Sequence, residues 1–250
     1  MAIENENDAY FLKRLEDVLV QNIAGCRSLV ACQRLSGGAS QETYKLILRF
    51  TGEQRFLAFR RSIGGGDING SQNGAAAGLG LEALLFQKAR LAGVPGPEVF
   101  YVLGEHDRLG EGFIMEWIEG ETLGARIVRA PAFDAIRPKL AYQCGEILAR
   151  IHAIDLDHAG LSGKFEIKTP RDLIEEFNHR YQSFDTPQPM IDYTARWLKE
   201  NVPDNAKPCL AHGDFRNGNL IVDPNMGIVA VLDWEVAHVG DPVRDLGWLC

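Results

Sequence analysis

One short segment near the end of the chain constrains the fold more than any other. Residues 220–222 and 228–232 are two β-rich runs, and the five residues between them, 223–227, have the composition of a turn. This pattern predicts a β-hairpin. Asn219 enters the first strand and Asp233 leaves the second, so we expect these two polar side chains to lie together at one end of a rigid ribbon.

The stretch HGDFRNGN, residues 212–219, comes directly before this hairpin. Asp214 and Asn219 stand behind His212 at the H-x-D-x-x-x-x-N interval of a kinase catalytic loop. Transfer of a γ-phosphoryl group needs a carboxylate that orients or deprotonates the acceptor hydroxyl, and oxygen ligands that hold Mg²⁺ against the triphosphate. The pattern predicts Asp214 as the catalytic residue, with Asn219 and Asp233 as metal ligands. The alternative is that Asp214 and Asn219 only form turns and that Asp233 caps a helix.

These motifs make the segment 212–248 similar to the aminoglycoside phosphotransferase family, relatives of the protein kinases that phosphorylate hydroxyls of small molecules. The resemblance is carried by HGD and Asn within 212–219, by DW at 233–234 and by GDP-x-x-DL at 240–246. It implies that Asp245 is a buried support for the catalytic loop. An ordinary acid at the start of a helix is the alternative.

Arg216 stands two residues after Asp214, where protein kinases carry a Lys that reaches the γ-phosphate. A guanidinium group there can grip a phosphate with two parallel hydrogen bonds, which makes Arg216 the second catalytic candidate. A solvated surface arginine is the alternative. His212 is expected to orient the loop through its ring nitrogens, and we assign it no proton transfer.

Three β-rich runs early in the chain, 27–35, 43–50 and 55–61, are spaced like a meander. In the family, the loop between the first two binds the nucleotide, because glycines let backbone N–H groups close over phosphates. A simple hairpin turn is the alternative. The resemblance assigns four residues of this loop to nucleotide binding: Ser36, Gly37, Gly38 and Ser40.

The third run contains LAFR at 57–60, where a kinase has V-A-I-K. Arg60 thus replaces the Lys that pairs with the α- and β-phosphates, which keeps the charge and changes its geometry. Arg61 is a rival, since strand alternation lets only one of them face the cleft. We expect Glu82, at the start of a helical pattern over 81–91, to pair with this cation. A surface glutamate in a first helical turn is the alternative.

A glycine- and alanine-rich stretch, 62–80, separates this strand from the helix. Residues 78–83 match the G-x-G-x-x-A fingerprint of dinucleotide-binding proteins, with Glu98 twenty residues after Gly78. The residues before the fingerprint lack β-branched side chains and cannot supply the strand that such a unit needs. We therefore interpret the stretch as a mobile loop over the nucleotide cleft.

Two further runs, 98–103 and 112–118, complete a small sheet. The second resembles the family's connector between lobes, where adenine hydrogen-bonds backbone groups, and this assigns Glu116 and Trp117 to nucleotide binding. Charges at helical spacing within 165–199 predict an insertion that lines the acceptor site, or a solvated helix face. A helix of the second lobe is predicted from five apolar residues at helical spacing: Leu140, Cys144, Ile147, Leu148 and Ile151.

The predicted fold class is α+β, a two-lobed protein-kinase-like fold. An N-terminal antiparallel-sheet lobe would span 1–116 and a mainly helical catalytic lobe 117–250. Family members continue for several helices past the GDP-x-x-DL segment, so we expect this sequence to be a fragment. The implied reaction is transfer of the γ-phosphoryl group of ATP or GTP to a hydroxyl, with Mg²⁺ as cofactor. A non-catalytic nucleotide-binding or regulatory module is the alternative.

The net charge and the cysteine content of the chain restrict the classes of molecule that it is expected to bind. A formal net charge of -8 disfavours nucleic acids and anionic membranes, which attract basic surfaces. The polar N-terminus does not resemble a signal sequence, and no apolar run reaches membrane length. Five scattered cysteines indicate reduced thiols and a cytoplasmic protein. The expected partners are a nucleoside triphosphate and a small hydroxylated acceptor, and the sequence does not predict the acceptor's identity or the oligomeric state.

Overall fold

The computed structural model describes residues 6–35, 41–62, 78–203 and 207–249. The first half of the chain forms a sheet with two helices, and the second half is mostly helical with two small ladders. The elements of the first half are α1 (Glu6–Asn22), β1 (Ser28–Arg34), β2 (Glu42–Arg49), β3 (Gln54–Ser62), α2 (Leu79–Leu91), β4 (Val99–Val102) and β5 (Glu111–Glu116). The elements of the second half are α3 (Gly124–Arg129), α4 (Arg137–His152), α5 (Pro170–Gln182), α6 (Pro189–Asn201), β6 (Cys209–Ala211), β7 (Leu220–Asp223), β8 (Gly227–Val231), β9 (His238–Gly240) and α7 (Val243–Leu249).

The five-stranded sheet is antiparallel, in the order β1-β2-β3-β5-β4. Strand alternation sorts its side chains between two faces. On β3, Leu57 and Phe59 are buried in one apolar cluster, whereas Ala58 belongs to a second cluster on the opposite face. The predicted meander and the α+β class are confirmed, with strand ends that differ from the predicted ones by one or two residues.

The two helices of the first half cover opposite faces of this sheet. Helix α1 places Leu15, Val18 and Leu19 at i, i+3 and i+4, which is one face of an α-helix, against buried residues of β2 and β3. Helix α2 buries Leu85 and Phe86 on the other face, in the cluster that contains Ala58. The sheet is therefore covered on both sides, and its second face also borders the site described below.

The second half is built around α4 and the β7–β8 hairpin. The predicted helix is confirmed, since Cys144, Ile147, Leu148 and Ile151 are all buried on one face of α4. The predicted hairpin is confirmed as well, with Leu220 opposite Val231. Its turn is tied to α4 by Gln143. The side-chain carbonyl of Gln143 accepts the N–H of Ile228 (3.0 Å), and its amide donates to the carbonyl of Met226 (3.1 Å).

One apolar cluster crosses the predicted boundary between the lobes. It joins Phe113 of β5 to Leu148 of α4, Leu220 of β7 and Trp234. The division of the chain at residue 116 stays a prediction. Helices α5 and α6 contain no buried residue, which agrees with the solvated face that was one of the two interpretations of 165–199.

The helices and the cysteines of the described residues have two further properties. None of their helices combines the length and the apolar character needed to cross a membrane. Cys26, Cys32, Cys144 and Cys209 are free thiols.

Candidate active site

The carboxylate of Asp245 holds the loop that carries Asp214. Asp245 is fully buried, and it accepts the backbone N–H groups of His212 (2.9 Å) and Gly213 (2.7 Å). A third bond joins it to Nε2 of His152 on α4 (2.9 Å). Burial alone would raise the pKa of Asp245, but the hydrogen bonds from His152 and from the loop lower it below its ordinary value. Asp245 is therefore a buried anchor for the loop, as the family resemblance implied, and His152 is a structural partner of that anchor.

His212 is fully buried and bonded through both ring nitrogens. Its Nε2 lies 3.0 Å from the carbonyl oxygen of Leu232, and its Nδ1 accepts the N–H of Asp214 at 3.3 Å. This pair of bonds fits a neutral ring with the proton on Nε2. Burial lowers the pKa of His212, which favours the same neutral form. Gly213 has φ 84, and a Cβ there would lie 2.5 Å from the carbonyl oxygen of Val236, so only glycine fits this turn.

Two further loop residues contact the carboxylate of Asp214. The side-chain amide of Asn219 donates to Oδ2 (2.7 Å) and to the backbone carbonyl of Asp214 (2.9 Å). The Nε of Arg216 lies 3.0 Å from Oδ1 and 3.1 Å from Oδ2. The structure thus brings the three loop candidates into one cluster. Because Asn219 uses its nitrogen on Asp214, its side-chain oxygen is the atom that it can offer to a metal.

The hairpin places Asn219 and Asp233 at the same end, as predicted. The N–H of Leu232 donates to the carbonyl of Asn219 at 2.8 Å, which extends the β7–β8 ladder to Asn219 and Leu232. Asp233 follows with a left-handed φ of 67, and Trp234 is buried against Phe86 of α2 (6.5 Å between ring centroids). Packing of Trp234 therefore fixes the backbone that carries Asp233.

The oxygen donors at this end of the hairpin suit a hard divalent cation. Asn219 offers an amide oxygen and Asp233 a carboxylate, and Mg²⁺ is usually bound by one or two such protein groups together with substrate phosphates and water. Among the described residues, no group of three or more His, Cys, Asp or Glu side chains converges as a metal site. Asn219 and Asp233 therefore suit a magnesium ion that completes its coordination with nucleotide phosphates and water. They do not form a complete set of metal ligands by themselves.

Arg60 and Arg61 point to opposite faces of the sheet. The Nη2 of Arg60 lies 2.6 Å from Oδ1 of Asp233, across the gap between β3 and the hairpin. Arg61 instead pairs with Glu42 (2.8 Å) and stacks on the ring of Phe11 in α1 (4.0 Å). The sequence left the choice between the two arginines open, and the geometry puts Arg60 next to the metal-ligand candidates.

Glu82 is fully buried in the first turn of α2, which excludes the alternative of a surface glutamate. Its Oε2 lies 3.3 Å from Nε of Arg60, so the predicted ion pair is present. Within the described residues neither carboxylate oxygen of Glu82 has a hydrogen bond. Burial raises the pKa of Glu82 to about 7, although the positive charge of Arg60 acts in the opposite direction.

The predicted connector residues lie at the end of β5, where Glu116 is the last residue of the strand and Trp117 follows it. The N–H of Glu116 donates to the carbonyl of Glu98 (2.8 Å), so sheet pairing already uses this group. The indole N–H of Trp117 donates to Glu119 (2.6 Å), and the ammonium group of Lys45 on β2 lies 4.2 Å from its ring centroid. Trp117 therefore lies beside β2, on the side of the sheet that carries Arg60.

Four of the predicted nucleotide-binding residues lie outside the part of the chain that the structure describes: Ser36, Gly37, Gly38 and Ser40. The same is true of 63–77, most of the stretch interpreted as a mobile loop.

Two residues of the cluster were not named as individual site residues from the sequence. Gln41 accepts a hydrogen bond from Nε of Arg60 (2.6 Å), and its own amide donates to Glu235 (3.3 Å). Glu235 also lies 3.7 Å from Nη2 of Arg60. Their positions carried a weak signal, since Gln41 lies near the end of the predicted nucleotide loop and Glu235 stands two residues after Asp233.

With the fold and these contacts established, comparison with known proteins identifies the class. A family model described as a phosphotransferase enzyme family, APH, matches residues 31–250. The chain therefore belongs to this phosphotransferase family.

Several known proteins are similar to this chain. Mouse acyl-CoA dehydrogenase family member 10 is 31% identical over 168 residues, which are 64% of this chain and 15% of that protein. A solved structure from Ralstonia eutropha JMP134, provisionally described as an aminoglycoside phosphotransferase, has a TM-score of 0.73 at 24% identity, over 95% of this chain and 68% of that one. Choline kinase from Cryptosporidium parvum has a TM-score of 0.55 at 14% identity, over 94% of this chain and 67% of that one.

These likenesses confirm the predicted kinase-like fold. The chain spans 15% of the mouse relative and 21% of a chicken relative named acyl-CoA dehydrogenase family member 11. The dehydrogenase names belong to those longer proteins.

The anchoring role of Asp245 can be measured by equilibrium unfolding. Asp245→Asn keeps the shape of the side chain but turns an N–H₂ group toward buried donors, so we expect it to lower the free energy of unfolding by roughly 3 kcal/mol. Asp241→Asn is the matched control, because Asp241 is only partly buried and accepts a local N–H bond from Val243 (3.0 Å). Equal losses in the two variants would contradict the anchoring role.

The burial of Glu82 predicts a pH dependence of stability. A carboxyl group whose pKa is raised in the folded state binds its proton more tightly there, so its contribution to stability falls as the pH rises from about 4.5 toward about 7. Glu82→Gln removes this titration, and we expect the variant to gain stability relative to the wild type between pH 5 and pH 8. Urea unfolding at both pH values measures the difference. Glu98→Gln, at an exposed glutamate, should show no such gain.

Proposed function

We propose that this chain transfers the γ-phosphoryl group of ATP or GTP to a hydroxyl of a small molecule, with Mg²⁺ as cofactor. The observation that carries the proposal is the position of Asp214, which is held by Asn219 and lies at the end of the hairpin that also presents Asp233. Arg60 reaches the same end from the sheet and is paired with buried Glu82. A carboxylate, two oxygen ligands and a cation are the groups that phosphoryl transfer requires.

In the proposed reaction Asp214 orients the acceptor hydroxyl and accepts its proton. The acceptor oxygen forms a bond to the γ-phosphorus, the bond from this phosphorus to the bridging oxygen breaks, and the nucleoside diphosphate leaves with that oxygen. Asn219 keeps the Asp214 side chain in place through its amide. Arg216, which now pairs with Asp214, is proposed to neutralise charge that develops on the transferred group.

The other proposed roles concern the nucleotide. Asn219 and Asp233 would hold Mg²⁺, which when bound neutralises phosphate charge and fixes the triphosphate. Arg60, held by Glu82, would pair with the α- and β-phosphates. The loop residues Ser36, Gly37, Gly38 and Ser40 would cover the phosphates, and the connector residues Glu116 and Trp117 would face the base.

For the acceptor we propose three classes in a defined order. Hydroxylated acyl-CoA thioesters come first, because the mouse and chicken relatives carry acyl-CoA dehydrogenase names. Choline-like amino alcohols and aminoglycosides follow, because the names of the similar solved structures point to them. The scattered free thiols support our proposal of a cytoplasmic location.

Turnover with a panel of these acceptors tests the proposal. Phosphate monoester formation is measured by mass spectrometry, with ATP or GTP and Mg²⁺. We expect Asp214→Asn to lower the turnover number by roughly 100-fold to 10,000-fold, because the variant loses the group that accepts the proton, while nucleotide affinity changes little. Asp17→Asn, at an exposed acid of α1, is the control.

Undiminished turnover in Asp214→Asn would contradict the assignment of Asp214. Nucleotide binding by the wild type without product from any acceptor would favour the alternative, a nucleotide-binding module.

A further inference from the structure

We propose that Gln41 is a positioning residue, which orients the guanidinium group of Arg60 for the nucleotide phosphates by anchoring it to Glu235. This inference rests on the proposed function, because it concerns the same nucleotide site. Gln41 is the residue before β2, at the end of the predicted nucleotide loop, and it belongs neither to the catalytic loop nor to the metal-ligand pair.

The side chain of Gln41 makes two bonds that require both halves of an amide. Its oxygen accepts from Nε of Arg60 at 2.6 Å, and its nitrogen donates to Oε2 of Glu235 at 3.3 Å. A carboxylate could not donate, and an ammonium group could not accept, so few side chains can bridge a cation and an acid in this way. Gln41 therefore connects the end of the glycine loop, strand β3 and the segment after the hairpin.

These contacts determine how the guanidinium plane of Arg60 is turned. Gln41 and Glu82 lie on its Nε, and Asp233 (2.6 Å) and Glu235 (3.7 Å) lie on its Nη2. Because the group is planar, fixing two nitrogens also fixes the direction of the third, Nη1. Among the described residues Nη1 has no hydrogen-bond partner, so its two N–H donors are the ones that a phosphate oxygen can take.

An orienting residue is needed because position 60 carries an arginine and not a lysine. An ammonium group is a compact charge with rotating donors, and it pairs with phosphate from many directions. A guanidinium group binds well only when its edge faces the phosphate. Gln41 should therefore matter for nucleotide binding when residue 60 is arginine and should lose its importance when residue 60 is lysine.

A double-mutant cycle tests this directly. The affinity of Mg²⁺ and the non-hydrolysable analogue β,γ-imido-ATP is measured by calorimetry for the wild type, Gln41→Met, Arg60→Lys and the double variant. Methionine matches the length of glutamine and removes both polar atoms. Gln54→Met is the matched control, because Gln54 is exposed at the other end of β3. Thermal unfolding midpoints, read for every variant, show whether the fold is kept.

We expect Gln41→Met to weaken analogue binding roughly tenfold to hundredfold, as for the loss of a hydrogen bond to a charged group. In the Arg60→Lys background the same change should alter the affinity by less than about twofold. Gln54→Met should bind like the wild type. If Gln41→Met does not fold, Gln41→Asn, which is polar but too short to span both partners, replaces it with the same expected dependence on residue 60.

Unchanged affinity in Gln41→Met, or an equal loss in both backgrounds, would overturn the positioning role. The readout separates this inference from the proposed function, since it uses binding and not turnover. A wild type that binds the analogue but phosphorylates no acceptor would contradict only the proposed transfer. A wild type that does not bind the analogue would overturn both.

Discussion

A single buried carboxylate determines where the loop that carries Asp214 lies. Asp245 accepts the N–H groups of His212 and Gly213, the two residues that precede Asp214, and it is bonded to His152 of α4. An ionised carboxylate without water is stable only when such donors surround it, so the loop and the anchor depend on each other. The position of Asp214 thus follows from the contact between Asp245 of α7 and His152 of α4.

The position of Asp233, at the end of the hairpin, depends in turn on contacts with α2 and with the sheet. Trp234 packs against α2 and holds the backbone of Asp233, while Arg60 on β3 reaches the side chain of Asp233. Glu82 and Glu235 place two further acids around the same guanidinium group. These acids can lie close together because the guanidinium group of Arg60 is paired with Asp233, Glu82 and Glu235 at once. In the proposed reaction, a nucleotide with its Mg²⁺ enters a site whose charges are already arranged.

Much of this arrangement could be predicted from the sequence, because local patterns encode it. The hairpin follows from a turn between two β-rich runs, and α4 from the apolar spacing between Cys144 and Ile151. The choice between Arg60 and Arg61 depends on which face of β3 meets the hairpin, and that is a tertiary contact. The contact between Gln41 and Glu235 joins residues 194 positions apart, so no local pattern predicts it. The burial of Glu82 likewise comes from how α2 packs on the sheet.

We propose that the end of the hairpin forms a metal-nucleotide site. The most direct test is the affinity of β,γ-imido-ATP, measured by calorimetry with Mg²⁺ and with EDTA, for the wild type and for Asp233→Asn. We expect Mg²⁺ to tighten binding by at least about tenfold in the wild type, and we expect this gain nearly to disappear in the variant. Binding that is equally tight with and without Mg²⁺ in the wild type, or an undiminished effect of Mg²⁺ in Asp233→Asn, would contradict it.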